Sequence, residues 1–409
     1  METPNSGSQP PPSPDPAPPP AIISPPTVPV KAAPAAGTDV LSNTVPLTPS
    51  QRRYLWLWGA GIALLFALTG WLAMGVQGRN RQQTAINHRM RMDPRQNEEG
   101  LTPIQWELPA NARPLVVTTG IYLDRISEIS IRDVTLVVDF YIWFRWRGGD
   151  FDPAESFQVV NGTIDSREVI DKFDNGDEHY VQYRVLAKIT KFFDVARFPC
   201  DEHLITINIE SPIRPRAELL FAVDQDNTHI SSRVKVTGFA MRPHQAIEKA
   251  HTYKTNFGDP RLAGQKYVTF SQFRLGFEIV RSGWGFYLKM FLPLYISVSI
   301  AMLAFFIRPT NVDPRFGLGV GGLFAAVANS YITSALLPDS GILVLADLIN
   351  ELGIFMILLT LIQSAISLYI LEKLEAETFQ RWFDRISFAL LGSGYVLLNV
   401  ALPWSATAA

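Results

Sequence analysis

Three hydrophobic patterns succeed one another along the chain. The first is continuous: Tyr54 to Val76 runs without a charge, and four further apolar runs follow late in the chain. These are Phe286–Ile307 with Pro293 inside it, Phe316–Leu337, about 342–371, and Ile386–Pro403. Each is near or above the roughly 20 apolar residues that a helix needs to cross a bilayer. The second pattern has period two and occupies about 113–281. In 135–146, Leu136, Val138, Phe140, Ile142, Phe144 and Trp146 alternate with Thr135, Val137, Asp139, Tyr141, Trp143 and Arg145. That is how the two faces of a strand read. Residues 203–210 alternate again, and 180–189 and 274–280 are further strands. Gly148-Gly149, Asn161-Gly162, Asn175-Gly176 and Gly258-Asp259-Pro260 mark turns. Short strands without helices between them predict a β-sandwich. The third pattern is the lack of one: residues 1–50 hold half of the 30 prolines. They have too little apolar mass for a core and predict a disordered tail.

The expected order is therefore a proline-rich tail (1–50), an apolar anchor helix (54–76), a polar linker (77–112), an all-β sandwich (113–283) and a four-helix transmembrane domain (284–405). Orientation follows from the basic loops. Arg308 and Arg315 lie in the first loop of the late helices, and Lys373, Arg381 and Arg385 in the third. The second loop holds only Asp339. The positive-inside rule puts loops one and three in the cytoplasm, the sandwich and C-terminus outside, and the N-terminal tail in the cytoplasm. Taken alone, the arginines after the anchor (Arg79, Arg81, Arg89, Arg91, Arg95) point the other way.

Composition narrows the function. Hydrophobic residues make up 47% and charged residues 18%, the balance of a mixed membrane and soluble chain. A net charge of -2 speaks against nucleic acid as a partner. The single cysteine, Cys200, rules out an internal disulfide and a cysteine metal centre. No His-Glu-x-x-His, Gly-x-Ser-x-Gly or Walker loop is present, so no enzyme activity, metal or cofactor is expected. Gly317-x-Gly319-x-x-Gly322 copies a dinucleotide fingerprint, but no strand precedes it.

Several short motifs fall in a particular order. They are Thr119-Gly120-Ile121-Tyr122-Leu123, Phe151-Asp152-Pro153, Phe198-Pro199-Cys200-Asp201, Ala222-Val223-Asp224, Thr237-Gly238-Phe239, Arg281, Phe286-Tyr287 and Pro293. With the sandwich-then-four-helices order, the chain resembles the pentameric ligand-gated ion channels, the Cys-loop receptor superfamily, in their bacterial form. The resemblance covers about 110–405. The two loop cysteines are absent, as is the tryptophan element that the family carries between the positions of Phe151 and Phe198. The anchor and the tail are additional.

The resemblance implies a homopentamer in the cell (inner) membrane, with the lipid bilayer, permeant ions and an unknown small ligand or protons as partners. Aligned on Pro338, it puts Gly317, Gly321, Phe324, Ala328, Tyr331 and Ala335 on the pore face, spaced alternately four and three. Rings of Phe324 would form a hydrophobic gate. Asp313 and Arg315 would flank the cytoplasmic mouth, with cations weakly favoured. Asp133, Phe198, Pro199, Asp201 and Arg281 would couple sandwich to membrane. Tyr253, Phe257, Tyr267 and Phe270 would cage an ammonium ligand, or His203 and His251 would sense protons. Other readings stand beside these. Gly317 and Gly321 would serve helix packing with Phe324 in a core, Arg315 would be an ordinary cytoplasmic-side residue, and Asp201–Arg281 a static pair. The scaffold would then be a non-conducting receptor.

Overall fold

The structure is a computed structural model and describes residues 46–96, 107–262, 264, 266–338 and 341–407. Most of the expected proline-rich tail, and the 97–106 part of the expected linker, lie outside these residues.

The chain enters α1 (Pro49–Met92) through a capping box. The Thr48 hydroxyl accepts from the Gln51 N–H, and the Gln51 side chain accepts from the Thr48 N–H. Pro49 fits the first helical position, where no N–H is needed. α1 does not stop at the end of the apolar run. Residues 77–92, expected as linker, continue the helix. At 1.5 Å per residue its 44 residues reach about 66 Å.

Eleven strands follow among the described residues: β1 (Leu115–Ser130), β2 (Thr135–Arg147), β3 (Gln158–Val159), β4 (Gly162–Asn175), β5 (Glu178–Thr190), β6 (Glu202–Glu210), β7 (Leu219–Val223), β8 (His229–Ile230), β9 (Phe239–Met241), β10 (Gln245–Tyr253) and β11 (Val268–Arg281). They form two sheets. One runs β4-β5-β2-β1-β7 with β8 also on β1; the other runs β10-β11-β6-β3 with β9 also on β11. Pairing is antiparallel except where β1 meets β7 and β8. The face predicted for β2 is the buried one: Leu136, Val138, Phe140, Ile142 and Phe144 have no exposed surface. They share a core with Ile205, Ile207 and Ile209 of β6 and Phe273, Leu275, Phe277 and Ile279 of β11.

Arg281 leads directly into α2 (Trp284–Met302), which tightens into a 3₁₀ turn through Phe306. Then come α3 (Val312–Ser334), α4 (Leu345–Leu374) and α5 (Glu377–Thr407). α5 starts earlier than its apolar run, because its first turns are amphipathic and bury Phe379 and Phe383. Five helices among the described residues are long and apolar enough to cross a membrane, which marks a membrane protein. α1 lies along α5. The Trp58 indole N–H donates to Ser387 Oγ at 2.9 Å, and Gly70 and Gly394 sit so close to Leu398 and Phe66 that a Cβ would come within 2.7 Å of either.

Candidate functional site

α3 has two faces of different character. Arg315, Gly319, Gly322, Ala326, Asn329 and Thr333 are buried, and α3 packs on α2 and α4. Gly322 lets the helices touch, since a Cβ there would lie 2.9 Å from the Ser297 carbonyl oxygen. Asn329 Nδ2 donates to Asn350 Oδ1 at 2.9 Å, so this packed face is also polar. The opposite face is open among the described residues. Asp313, Gly317, Gly321, Phe324, Ala328, Tyr331 and Ala335 are all exposed, with Phe324 at 74% and Tyr331 at 79%. A Cβ on Gly317 or Gly321 would meet nothing within 4 Å. Inside one chain the close-packing glycines are thus Gly319 and Gly322, and Phe324 is not a core residue.

Arg315 is not at the mouth expected for it. Its side chain is fully buried. One guanidinium nitrogen donates to the Ile307 carbonyl at 2.9 Å and another to Asp384 Oδ2 at 3.0 Å. Gln363 and Gln380 also donate to Asp384, at 2.7 and 2.6 Å. The reason is angular. Arg315 precedes Gly319 by four residues and Gly322 by seven, which sets it on the packed face, while Asp313 lies across the helix. Only Asp313 of the expected pair is exposed.

The β5–β6 connection, residues 191–201, reaches the helices α2, α4 and α5, and Asp194 within it also meets α1. The N–H groups of Leu345 and Ala346, which open α4, donate to the carbonyls of Ala196 and Phe198 at 3.0 and 3.1 Å. Arg197 donates to the Ala406 carbonyl near the end of α5 at 3.1 Å, where a cation suits the helix dipole. Phe198 and Pro199 are buried, and the Phe198 ring packs edge-on against Phe286 of α2.

Asp201 lies at the close of this loop with its carboxylate almost wholly buried. Arg281 Nε donates to Oδ1 at 2.7 Å, and His203 Nε2 lies 2.7 Å from Oδ2. The Arg281 N–H also donates to the Asp201 carbonyl at 3.1 Å. The guanidinium sits 4.4, 4.7 and 4.9 Å from the ring centres of Phe239, Phe286 and Phe198. Burial by itself favours the neutral acid. The donors on His203 and Arg281 outweigh it and hold the Asp201 carboxyl at about 2, below its ordinary 3.8.

Asp133 is not brought to this cluster. It is exposed, and its carboxylate accepts from Ser130 Oγ at 2.6 Å within its own turn. The neighbouring Arg132 reaches further, to the Ala335 carbonyl at 3.4 Å. A cleft of about 640 Å³ opens here, lined in part by Ile131, Arg132, Lys235, Arg281 and Leu336.

Of the expected aromatic cage, three rings meet. Tyr253 packs edge-on against Phe257 at 5.3 Å and Phe270 at 5.6 Å. Tyr267 makes no ring contact with them among the described residues. The set is closed at its base, because the Tyr253 hydroxyl donates to the fully buried Glu210 at 2.9 Å and His251 lies 2.6 Å from the same carboxylate. Burial and the Glu210 charge push the Tyr253 hydroxyl above its ordinary pKa. No cluster of three or more His, Cys, Asp or Glu residues is placed to hold a metal ion among the described residues.

Residues that sequence reasoning did not place include Arg132, Arg197 and Asp384. His203, expected beside His251 as a proton sensor, is also a partner of Asp201; two residues apart and entering one strand, they share a face. The chain matches no known family model, and no curated protein matches it in sequence.

Proposed function

We propose that the protein is a pentameric ion channel, gated by a small ligand or by protons, with the exposed stripe of α3 facing a central pore. The observation that carries this reading is the stripe itself. An apolar-length helix spends its polar, glycine-tight face on its own bundle and leaves Gly317, Gly321, Phe324, Ala328, Tyr331 and Ala335 exposed among the described residues. Five copies around an axis would cover that stripe and make Phe324 and Tyr331 its narrow rings. A ring of Phe324 side chains blocks ions by dewetting and opens when the helices tilt apart. With Arg315 buried, Asp313 is the charge left on the stripe at its N-terminal end, which favours cations.

In this reading the two sheets form a β-sandwich on the external side of the cell membrane, and the N-terminal tail is cytoplasmic. The sandwich acts on the pore through two contacts. The 191–201 loop holds the start of α4, while Arg132 touches the end of α3. Asp201, Arg281 and His203 fix that loop to the head of α2, and a shift in their pairing would alter its position. The aromatic group around Tyr253, with Glu210 beneath it, suits a small amine.

A non-conducting receptor on the same scaffold is the second reading. It is favoured by the scarcity of hydroxyl groups on the stripe between Asp313 and Tyr331. Native mass spectrometry of the full chain in nanodiscs tests the assembly both readings share. Five copies are expected, and a stable monomer or dimer would overturn both.

A further inference from the structure

Crossing a bilayer takes roughly 20 residues, and α1 has 44. The surplus is not idle. The buried residues of α1 are Leu55, Ile62, Gly70, Gln77 and Thr84, a single seam repeating every two turns of a straight helix. Its lower part lies on α5, through Trp58 on Ser387 and Gly70 on Leu398. Its upper part, past Gln77, lies on the β region.

There the contacts are specific. Thr84 Oγ1 is 2.8 Å from Asp194 Oδ2 and 2.9 Å from the Asn80 carbonyl. The single hydroxyl proton goes to the carboxylate, the stronger acceptor. The other Asp194 oxygen accepts the Ala196 N–H at 3.1 Å, and the Ala196 carbonyl accepts the Leu345 N–H at 3.0 Å. Three hydrogen bonds therefore run from α1 through 194–196 to the first turn of α4. Four residues on, His88 Nδ1 lies 3.1 Å from Glu278 Oε1 of β11. At the helix end, the carbonyls of Met90 and Arg91 accept from Lys249 and Arg274, each at 2.6 Å. Met92 rests on Gly276, where any side chain would collide with it.

We propose that α1 is a further link between the membrane bundle and the β region, beside the covalent joint from β11 to α2 and the contacts of the 191–201 loop and Arg132, and that Thr84 is the residue by which it positions the 191–201 loop against α4. A rigid helix fastened to α5 below and to β10, β11 and Asp194 above resists any movement of the β region over the bundle. The link stands on contacts within one chain; its effect on gating rests on the channel reading.

Hydrogen exchange of the full chain in nanodiscs tests the link. Thr84→Val keeps the shape of the side chain and removes its donor; Thr84→Ser keeps the donor. Loss of one hydrogen bond to a carboxylate predicts about tenfold faster exchange in peptides covering 194–201 and 345–346 for Thr84→Val. Thr84→Ser should exchange like the unmodified chain, and peptides over 58–70 should not change in either variant. Asp194→Asn, which weakens the same bond from the other side, should speed the same peptides. Unchanged exchange at 194–201 in both Thr84→Val and Asp194→Asn, or equal acceleration by Thr84→Ser, would overturn the link. Where currents are recorded, Thr84→Val should shift the half-maximal stimulus about tenfold and Thr84→Ser should restore it. A silent unmodified protein would count against the channel reading, while the exchange result decides the link alone.

Discussion

Replacing Arg281 by glutamine removes a cation from a site with little water to take its place. The side chain is 9% exposed and its partner Asp201 1%. The variant loses the 2.7 Å bond to Oδ1 and three ring contacts between 4.4 and 4.9 Å. It keeps the backbone bond from residue 281 to the Asp201 carbonyl, so the connection into α2 is not broken outright. What remains is a buried carboxylate with His203 as its donor. Breaking a buried pair from one side costs about 3–5 kcal/mol. The ring contacts, worth about 0.5–2 kcal/mol each, are inside that figure rather than added to it. The assay is denaturant unfolding of the detergent-solubilised chain for Arg281→Gln, Asp201→Asn and the double variant. The cycle should give a coupling of about 2–3 kcal/mol, since the double variant leaves no charge stranded. Acid adds a second reading. A carboxyl held at about 2 contributes stability above pH 4 that is lost as pH falls toward 2, about 2 kcal/mol in all. Without Arg281 the folded carboxyl moves up toward its unfolded value, so that acid-dependent loss should shrink. A coupling below about 0.5 kcal/mol, or an acid profile identical to that of the unmodified chain, would refute the reasoning.

Two further outcomes are expected. Gly322→Ala, which drives a Cβ to 2.9 Å from the backbone of α2, should destabilise the bundle by about 1–3 kcal/mol, while Gly321→Ala on the free stripe should stabilise α3 slightly; thermal unfolding in detergent separates them. Lys191 is buried beside Phe193, and burial pushes its ammonium down to about 8 from 10.5. The unfolded chain then binds the extra proton between those values, so stability should rise from pH 8 to 10.5, and Lys191→Met should abolish that rise in pH-dependent melts.

What could be read in advance followed from how each residue meets its surroundings. The faces of β2 were legible because one side meets a core, and alternation records that directly. The membrane runs were legible because lipid demands continuous apolar sequence. Residues 77–92 of α1 were not, since a helix lying between water and the polar outer face of a sheet carries no apolar stripe to announce it. The start of α5 was hidden for a related reason: Phe379 and Phe383 bury only one side of a charged segment. Arg315 was misplaced because a charge at a helix end marks topology in sequence, while its burial depends on Asp384, which only the fold brings near. Asp133 and Asp201 look alike along the chain. A serine three residues away engages the first, and a distant arginine the second.

The central claim is that the exposed stripe of α3 lines an ion pathway closed at Phe324. Its most direct test is recording in planar bilayers from the reconstituted full chain and from Phe324→Ala, across pH and small amines. A pore lined by this stripe predicts gated unitary currents in the unmodified protein, and a larger resting conductance once the 74%-exposed Phe324 ring is removed. Silence of both proteins under every condition, with pentamers confirmed in the same membranes, would contradict it.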